Sequence, residues 1–377
     1  MAEIPVPLGA IYRGGSADAL AALRAREEAA GTFAPSVFSP DTLAEKGLVR
    51  VAHKRVPEGK NKEPSADALS KGAKLPTADP GFNVYYERHG KGPRKVVYIM
   101  GLNNSCFGWL KQVEHFGADE QYSVLVLDNR GYGNSDTPAG PYSTSEMALD
   151  VLELCDHVGW SEERQLNVVG VSMGGMIALE IAKTAPQRVA SLSLISTTSG
   201  QGRGEKNILT SLPPLSGVQT IARILAGRIL NLDSDQYRVE RVCDMLFPAS
   251  WLAERDPNDS SRTRREATCE LFKWRFAFTR RQTLAGAFAQ LRAVATHRVS
   301  SAQLREINEH VPAMAILTGD EDNLVNPANS EFLHKHLPAA EYHIFKAAGH
   351  ALPMQLPEEV NAALASNFER AAKATSS

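Results

Sequence analysis

The chain has 377 residues, of which 43% are hydrophobic, and a formal net charge of −2 at pH 7. This length exceeds one average domain, and the hydrophobic share suffices for a substantial core. The near-neutral charge gives no electrostatic reason to expect nucleic acid or an anionic membrane as a partner. The sequence lacks a secretory signal pattern and any run of ~20 apolar residues that could span a membrane. Four scattered cysteines without a CxxC pair are typical of reduced, mostly buried thiols, so we expect a cytoplasmic protein.

The first 46 residues are rich in alanine, serine, proline and charged residues, and we interpret them as an N-terminal extension. Within them, SADALAALRAREEAAG predicts a short helix capped by Ser16. A polar insert, PEGKNKEPSADALSKGAKLPTADPG, separates the first two strand-like runs and is predicted to be an exposed loop.

Strand patterns and helix patterns then alternate along the chain. Two runs alternate as half-buried strands do: LVRVAHKRV and FNVYYERHG. Five more are almost continuously apolar, which is typical of strands covered on both faces: KVVYIMGL, YSVLVLDNRG, LNVVGVS, VASLSLIST and AMAILTGDED. A weaker run, AEYHIFKAAGH, follows them. Helical patterns at 143–158, 173–185 and 329–336 lie between these runs. The alternation predicts an α/β protein with a mainly parallel sheet joined by right-handed crossovers.

One interval interrupts this alternation. From about Gly200 to Ile307 there is no clear strand, whereas TIARILAGRILNL and ATCELFKWRFAFTRRQTLAGAFAQL predict helices. We therefore predict a core domain over 47–199 and 308–377, with a helical insertion over 200–307.

The segment GVSMGG places Ser172 between an apolar strand and a helix. A sharp strand-to-helix turn forces its central residue into a strained conformation and raises that side chain above the sheet. Neighbours two residues away on either side must then be small, and Gly170 and Gly174 meet that demand. Although the G-x-S-x-G pattern alone is weak, this context favours a nucleophile over an ordinary structural turn.

A serine nucleophile needs a base and a carboxylate that orients the base. In a sheet of this kind, the chain order Ser, acid, His places both on loops after later strands. LTGDEDNLVNP offers Asp322 as the acid, with Asp320 as the fallback. FKAAGHALP offers His350 as the base. His297 is a weaker candidate for a pocket contact, and we expect the remaining histidines to have no role in the site.

Acyl transfer also needs two N–H donors for the oxyanion. The backbone N–H of Met173, next to the nucleophile, is one candidate. The loop after KVVYIMGL would supply the other from Leu102 or Asn103, since Gly101 permits close approach of the backbone. Asn103 and Asn104 could add side-chain donors, whereas the alternative interpretation is an ordinary polar turn.

In combination and in this order, MGLNNS, DNRGYGNSDTP, GVSMGG, GDEDNLV and AGH resemble the α/β-hydrolases. The resemblance runs from about Leu48 to Glu369 and is loose over the helical insertion, where the family carries its cap or lid. The acid usually follows a Gly-x-x-Asp-x-x-Val pattern, which Gly319, Asp322 and Val325 match. Met100 stands where the family usually has a histidine in its oxyanion loop.

DNRGYGNSDTP resembles the family's Asp-x-Arg-Gly-x-Gly-x-Ser turn. In the family this turn braces the loop beside the nucleophile, so the resemblance implies a structural role for its matching residues. They are Asp128, Arg130, Gly131, Gly133 and Ser135.

The resemblance implies a serine esterase or lipase-like hydrolase that uses an acyl-serine intermediate and no metal or organic cofactor. An apolar ester or acylglycerol is the expected substrate, and peripheral contact with a lipid surface is left open. A thioesterase, an acyltransferase and a C–C bond hydrolase are alternatives with the same triad, and a non-catalytic small-ligand-binding member is another. Ser172 argues against the epoxide hydrolases and haloalkane dehalogenases, which generally carry aspartate there.

Two features of the insertion bear on the substrate. The first is an apolar helical stripe that either packs on the core or forms a wall over the serine, and it comprises Ile221, Ile224, Leu225, Ile229 and Leu232. The second is a basic stretch, SSRTRRE and FTRR, which is either a solvated face or a contact for an acidic or interfacial substrate.

Overall fold

The computed structural model describes residues 36–53, 55, 80–200, 219–220, 222–223, 226–227, 235–280 and 282–376. Three predicted features lie outside these residues: the Ser16-capped helix, most of the polar insert and the apolar stripe of the insertion.

Ten strands are present in the described part of the chain: β1 (Leu43–Val51), β2 (Phe82–His89), β3 (Arg94–Ile99), β4 (Tyr122–Leu127), β5 (Leu166–Val171), β6 (Val189–Ile195), β7 (Arg255–Asp256), β8 (Asp259–Thr263), β9 (Ala313–Gly319) and β10 (Ala340–Phe345). Eight of them form one sheet in the order β1-β2-β4-β3-β5-β6-β9-β10. The strand β2 pairs antiparallel with β1 and β4, whereas all other neighbours in this sheet are parallel. The predicted α/β class and mainly parallel sheet are confirmed.

The helices are α1 (Leu110–Gly117), α2 (Thr144–His157), α3 (Met173–Thr184), α4 (Asp235–Leu246), α5 (Ala249–Ala253), α6 (Arg264–Ala277), α7 (Leu284–Thr296), α8 (Ser301–His310), α9 (Ala328–His336), α10 (Leu352–Gln355) and α11 (Pro357–Ser376). Short 3₁₀ turns occur at Cys106–Trp109 and Pro186–Arg188. Helix α2 begins after Ser143, whose hydroxyl accepts a hydrogen bond from Glu146 N at 3.2 Å. The predicted helix start at 143 is therefore the N-cap residue.

The central strands are apolar because helices cover both faces of the sheet. Every residue of β4, β5, β6 and β9 is buried. Parallel strands in this position require apolar residues at consecutive positions rather than at alternate ones. Their carboxyl ends, together with that of β10, meet at one edge of the sheet, and the loops there carry the candidate site.

Two boundaries of the predicted regions, near residue 46 and at 307/308, do not coincide with the ends of structural elements. Strand β1 starts at Leu43, inside the predicted extension, and Val37 and Phe38 are already buried against the core. The predicted boundary at 307/308 falls inside α8, which packs against α3 and α9. Helix α8 thus packs on helices of the core domain.

The insertion also differs in detail from its prediction. A small antiparallel hairpin, β7 and β8, contradicts the expectation of no strand between about 200 and 307. Its strands are too short to show the alternation of polar and apolar residues that predicts a strand. Asp256 closes the turn by accepting from Asn258 N at 3.0 Å. The long helical pattern at 267–291 divides into α6 and α7, because Thr283 caps α7 by accepting from Gly286 N at 3.0 Å.

All four cysteines are buried free thiols, as predicted. Among the described residues, none of the helices combines the length and apolar character needed to cross a membrane.

Candidate active site

Ser172 occupies the turn between β5 and α3, with φ 57° and ψ −123°. A positive φ is strained for a residue with a side chain, and such strain concentrates at functional turns. Glycine is required beside it. A β-carbon on Gly170 would lie 2.6 Å from Gly175 N, and one on Gly174 would overlap the carbonyl of Ile99. The glycine spacing seen in the sequence is therefore a packing requirement of this turn.

Hydrogen bonds hold the strained serine in place. Ser172 N donates to Ile195 O at 2.9 Å. Its carbonyl accepts from Thr197 Oγ1 at 2.7 Å and from Gly175 N at 2.9 Å. The end of β6 and the first turn of α3 together fix the backbone that carries the hydroxyl.

The predicted acid and base form a buried pair. His350 Nδ1 lies 2.8 Å from Asp322 Oδ2, and the side chains are 7% and 0% exposed. The other carboxylate oxygen, Oδ1, accepts from Leu324 N at 2.8 Å and Val325 N at 2.9 Å. These two bonds orient the carboxylate toward the imidazole. The fallback, Asp320, pairs instead with Lys346 at 3.2 Å.

Sequence reasoning missed Gln355, which holds the loop that carries His350. Its Oε1 accepts from Gly349 N and its Nε2 donates to Ala347 O, both at 2.8 Å. Ala347 has φ 51°, so the loop is itself strained. The only signal in the sequence was a glutamine five residues after the histidine, a pattern too general to interpret from one sequence.

Ser172 and His350 are both at the carboxyl edge of the sheet, on the loops after β5 and β10. Within the described part of the chain, no hydrogen bond joins the serine hydroxyl to the imidazole. Contacts between a nucleophile and its base are often long without substrate and shorten when it binds. The serine–histidine contact therefore stays a prediction.

Of the predicted oxyanion donors, Leu102 and Met173 have free backbone N–H groups among the described residues, whereas Asn103 N donates to Gln290 Oε1 at 3.2 Å. A β-carbon on Gly101 would lie 3.5 Å from Ser172 Oγ, so this loop runs directly beside the serine. Met173 is buried and Leu102 is half-buried, and among the described residues neither N–H has a partner to give up when it binds an oxyanion. Leu102 is the better candidate for the second donor.

Comparison with known proteins identifies the family. A model of the family described as alpha/beta hydrolase fold matches residues 95–356. The chain belongs to this family. It is 30% identical over 172 residues to a protein of Azorhizobium caulinodans named "Putative carbamate hydrolase RutD", covering 46% of this chain and 57% of that protein. The match therefore spans less than two thirds of that relative's length.

Two further comparisons cover more of the chain. A protein of Escherichia coli O127:H6, also named "Putative carbamate hydrolase RutD", is 27% identical over 71% of this chain and 89% of its own length. The solved structure of a thermophilic esterase from Thermogutta terrifontis superposes with a TM-score of 0.61 at 22% identity, covering 87% of this chain and 99% of that one. The likeness in structure extends the alpha/beta hydrolase fold over most of the present chain.

In this alpha/beta hydrolase, the turn that begins at Asp128 has the bracing contacts that the resemblance implies. Asp128 accepts from Cys106 N and Asn134 N, both at 2.8 Å. Ser135 Oγ donates to the Asp128 carbonyl at 2.6 Å. Burial raises the pKa of the Asp128 carboxyl to about 6, although both N–H donors oppose this shift. Arg130 forms two hydrogen bonds of 2.7 Å with Asp150.

The basic stretch of the cap is largely engaged in ion pairs. Arg262 lies 2.8 Å from Asp256 and Arg264 lies 3.2 Å from Glu254. Arg265 pairs with Asp244. The first pair lies within the hairpin, and the other two join helix α6 to Glu254, just after α5, and to helix α4, so these three arginines are engaged in contacts within the cap.

His297, the weaker pocket candidate, is buried between the cap and helices α2 and α3. Its Nδ1 lies 2.8 Å from Thr144 Oγ1 and 3.7 Å from Glu180 Oε1, and Glu180 is also paired with Lys183. Burial lowers the pKa of His297 to about 3, and the Lys183 charge adds to that effect. The residue is thus a neutral packing element.

This burial makes His297 a source of acid lability. Its pKa falls from 6.5 to about 3 on folding, so between those values the unfolded chain binds more protons and stability falls as the pH is lowered. We expect the free energy of unfolding of the wild type to fall more steeply from pH 6.5 to 4 than that of His297→Asn. Urea denaturation at each pH measures this. Parallel curves for the two proteins would contradict the prediction, since all other titrating groups are common to both.

Proposed function

We propose that this alpha/beta hydrolase cleaves a carboxylic ester through an acyl-serine intermediate, with Ser172 as nucleophile, His350 as base and Asp322 as its orienting acid. The family and the relatives support hydrolase activity in general. The observation that carries the finer proposal is the Asp322–His350 pair at 2.8 Å, on the sheet edge where the strained serine stands.

The proposed reaction has two halves. His350 Nε2 takes the hydroxyl proton while Ser172 Oγ attacks the acyl carbon, and Asp322 stabilises the imidazolium through Nδ1. The oxyanion is bound by the N–H groups of Met173 and Leu102, which have no other partner among the described residues. His350 then protonates the departing alkoxide. In the second half it activates water, which releases the acid and regenerates the serine.

A carbamate is the second candidate substrate, since the relatives matched over most of their length carry the name of a carbamate hydrolase. A carbamate ester presents the same kind of carbonyl to the serine and would give a carbamoyl-serine. Its carbonyl is less electrophilic than that of a carboxylic ester, so an acyl-enzyme would form more slowly.

A burst experiment tests the proposal. Wild-type protein mixed with p-nitrophenyl esters of graded chain length should release about one equivalent of nitrophenol rapidly, followed by slower turnover. Mass spectrometry of the quenched enzyme should locate the acyl group on the peptide that contains Ser172. Ser172→Ala should show neither the burst nor the added mass.

The same experiment with p-nitrophenyl carbamates separates the two candidates. A higher kcat/KM for the ester series supports the first candidate, and a higher value for the carbamates supports the second. Full activity in Ser172→Ala, or an acyl group found on another residue, would reject the acyl-serine mechanism for both.

A further inference from the structure

The cap contacts the oxyanion loop through a buried glutamine. Gln290 lies on α7, is 0% exposed, and its Oε1 accepts from Asn103 N at 3.2 Å. Its Nε2 donates to Arg130 O at 2.8 Å. The side-chain amide of Gln290 therefore joins the loop after β3, through its oxygen, to the loop after β4, through its nitrogen.

The orientation of this amide is determined by its neighbours. Gln282 Nε2 donates to Gln290 Oε1 at 3.1 Å and to Gly131 O at 3.0 Å. The atom that faces Asn103 and Gln282 must accept, and the atom that faces the Arg130 carbonyl must donate. A flipped amide would place like groups against each other at both ends and leave buried polar atoms unsatisfied, which is costly.

The peptide that Gln290 holds adjoins the proposed oxyanion donor. Asn103 has φ 54°, a conformation that asparagine tolerates better than most residues. Fixing the Asn103 N–H fixes the plane of the peptide bond between residues 102 and 103. The preceding peptide plane carries the Leu102 N–H, and the two planes meet at the Leu102 α-carbon. Because Gly101 lies against Ser172, a small rotation here would turn Leu102 N–H away from the oxyanion.

A second cap helix contacts the same loop. Arg275 of α6, which is 2% exposed, donates from Nη2 to Asn104 Oδ1 at 2.7 Å and from Nη1 to Met354 Sδ at 3.2 Å. Met354 lies in α10, just after the His350 loop. Helices α6 and α7 thus both hold the loop after β3, and Gln290 makes the contact that reaches its backbone.

We propose that Gln290 is a positioning residue, which sets the direction of the Leu102 N–H through the Asn103 peptide and so prepares the oxyanion hole from the cap. This inference rests on the proposed ester hydrolysis. It assigns to the cap a part in transition-state stabilisation, in addition to covering the site.

The chain offers a matched control. Gln355 is also a buried glutamine that accepts from one backbone N–H and donates to one carbonyl, but it holds the His350 loop. Gln290→Met and Gln355→Met therefore each remove one bond from a backbone N–H and one to a backbone carbonyl, and Gln290→Met also removes the bond from Gln282 Nε2. The first should weaken oxyanion binding, whereas the second should weaken proton transfer.

The experiment compares a p-nitrophenyl ester with its thionoester, in which sulfur replaces the carbonyl oxygen and binds N–H donors poorly. Loss of an oxyanion donor typically costs 10²–10³ in kcat, and we expect misdirection of one to cost about 30-fold. Gln290→Met should lower kcat for the ester by about that factor with little change in KM, and should lower thionoester turnover much less. Gln355→Met should lower both by similar factors.

The outcomes separate this inference from the proposed function. If Ser172 forms an acyl-enzyme but the ester-to-thionoester ratio of kcat is the same in Gln290→Met and the wild type, the inference is overturned. If no acyl-serine forms in the wild type, the proposed function itself fails. Should Gln290→Met not fold, Gln282→Met gives the same test, because it removes one donor from Gln290 Oε1. An approximately threefold fall in the ratio is then expected, and an unchanged ratio overturns the inference.

Discussion

Replacement of His350 by alanine is expected to lower kcat for the preferred ester by about 10⁶-fold, because the serine loses its base and the leaving group its acid. The expectation depends on His350 being held by Asp322 at 2.8 Å while burial of the pair excludes water. Steady-state kinetics with an active-site titration of each preparation measures the effect.

We also expect the effects of replacing His350 and Ser172 on kcat not to be additive. Groups that act as one unit in catalysis do not contribute independently, so Ser172→Ala combined with His350→Ala should be no slower than either single variant. His336→Ala is the control, since His336 is also a buried histidine but bonds the carbonyl of Phe332 at 2.9 Å. It should remain within about threefold of the wild type. A double variant slower than both single variants by another factor of 10³ would indicate that the two residues work separately.

Much of this site could be predicted from sequence, because its determinants are local. A β-carbon on Gly170 would clash within the turn itself, and Leu324 and Val325, just after Asp322, supply the N–H groups that orient its carboxylate. Residues close in sequence fix these shapes, so the pattern of residue types carries the information. The strands could be predicted equally well from the sequence, since burial on both faces of the sheet requires uninterrupted apolar runs.

The supporting residues could not be predicted, because their partners are distant in the chain. Gln290 meets Asn103 across 187 positions, and Arg275 meets Asn104 across 171. Neither the periodicity nor the composition of a cap helix indicates which distant residue a buried glutamine on it will contact. A different limit explains why no clear strand was expected in the insertion: strands β7 and β8 have two and five residues, too few for a pattern.

The second large effect concerns the turn itself. Gly174→Ala is expected to reduce the free energy of unfolding by more than about 4 kcal/mol. A β-carbon at this position would overlap the Ile99 carbonyl and lie 2.9 Å from the Met100 carbonyl oxygen, and both are backbone atoms of the neighbouring chain segment. No rotamer change relieves such a clash. Helix α3 would have to move away from β3, which would also displace Ser172 and its neighbouring N–H donor. Chemical denaturation, with soluble yield as a first indicator, measures the loss.

Gly159→Ala supplies the comparison that isolates this clash. Gly159 has φ +76°, and a β-carbon there would meet nothing within 4 Å, so the substitution carries only the conformational cost of a left-handed alanine, about 1–2 kcal/mol. Gly174→Ala should be clearly worse than this in stability, and its surviving folded fraction should be slow to form an acyl-enzyme. Equal stability of the two variants would mean that α3 can shift freely against β3. The strained serine would then not depend on close packing of helix and strand, and the explanation given for the glycine spacing would be lost.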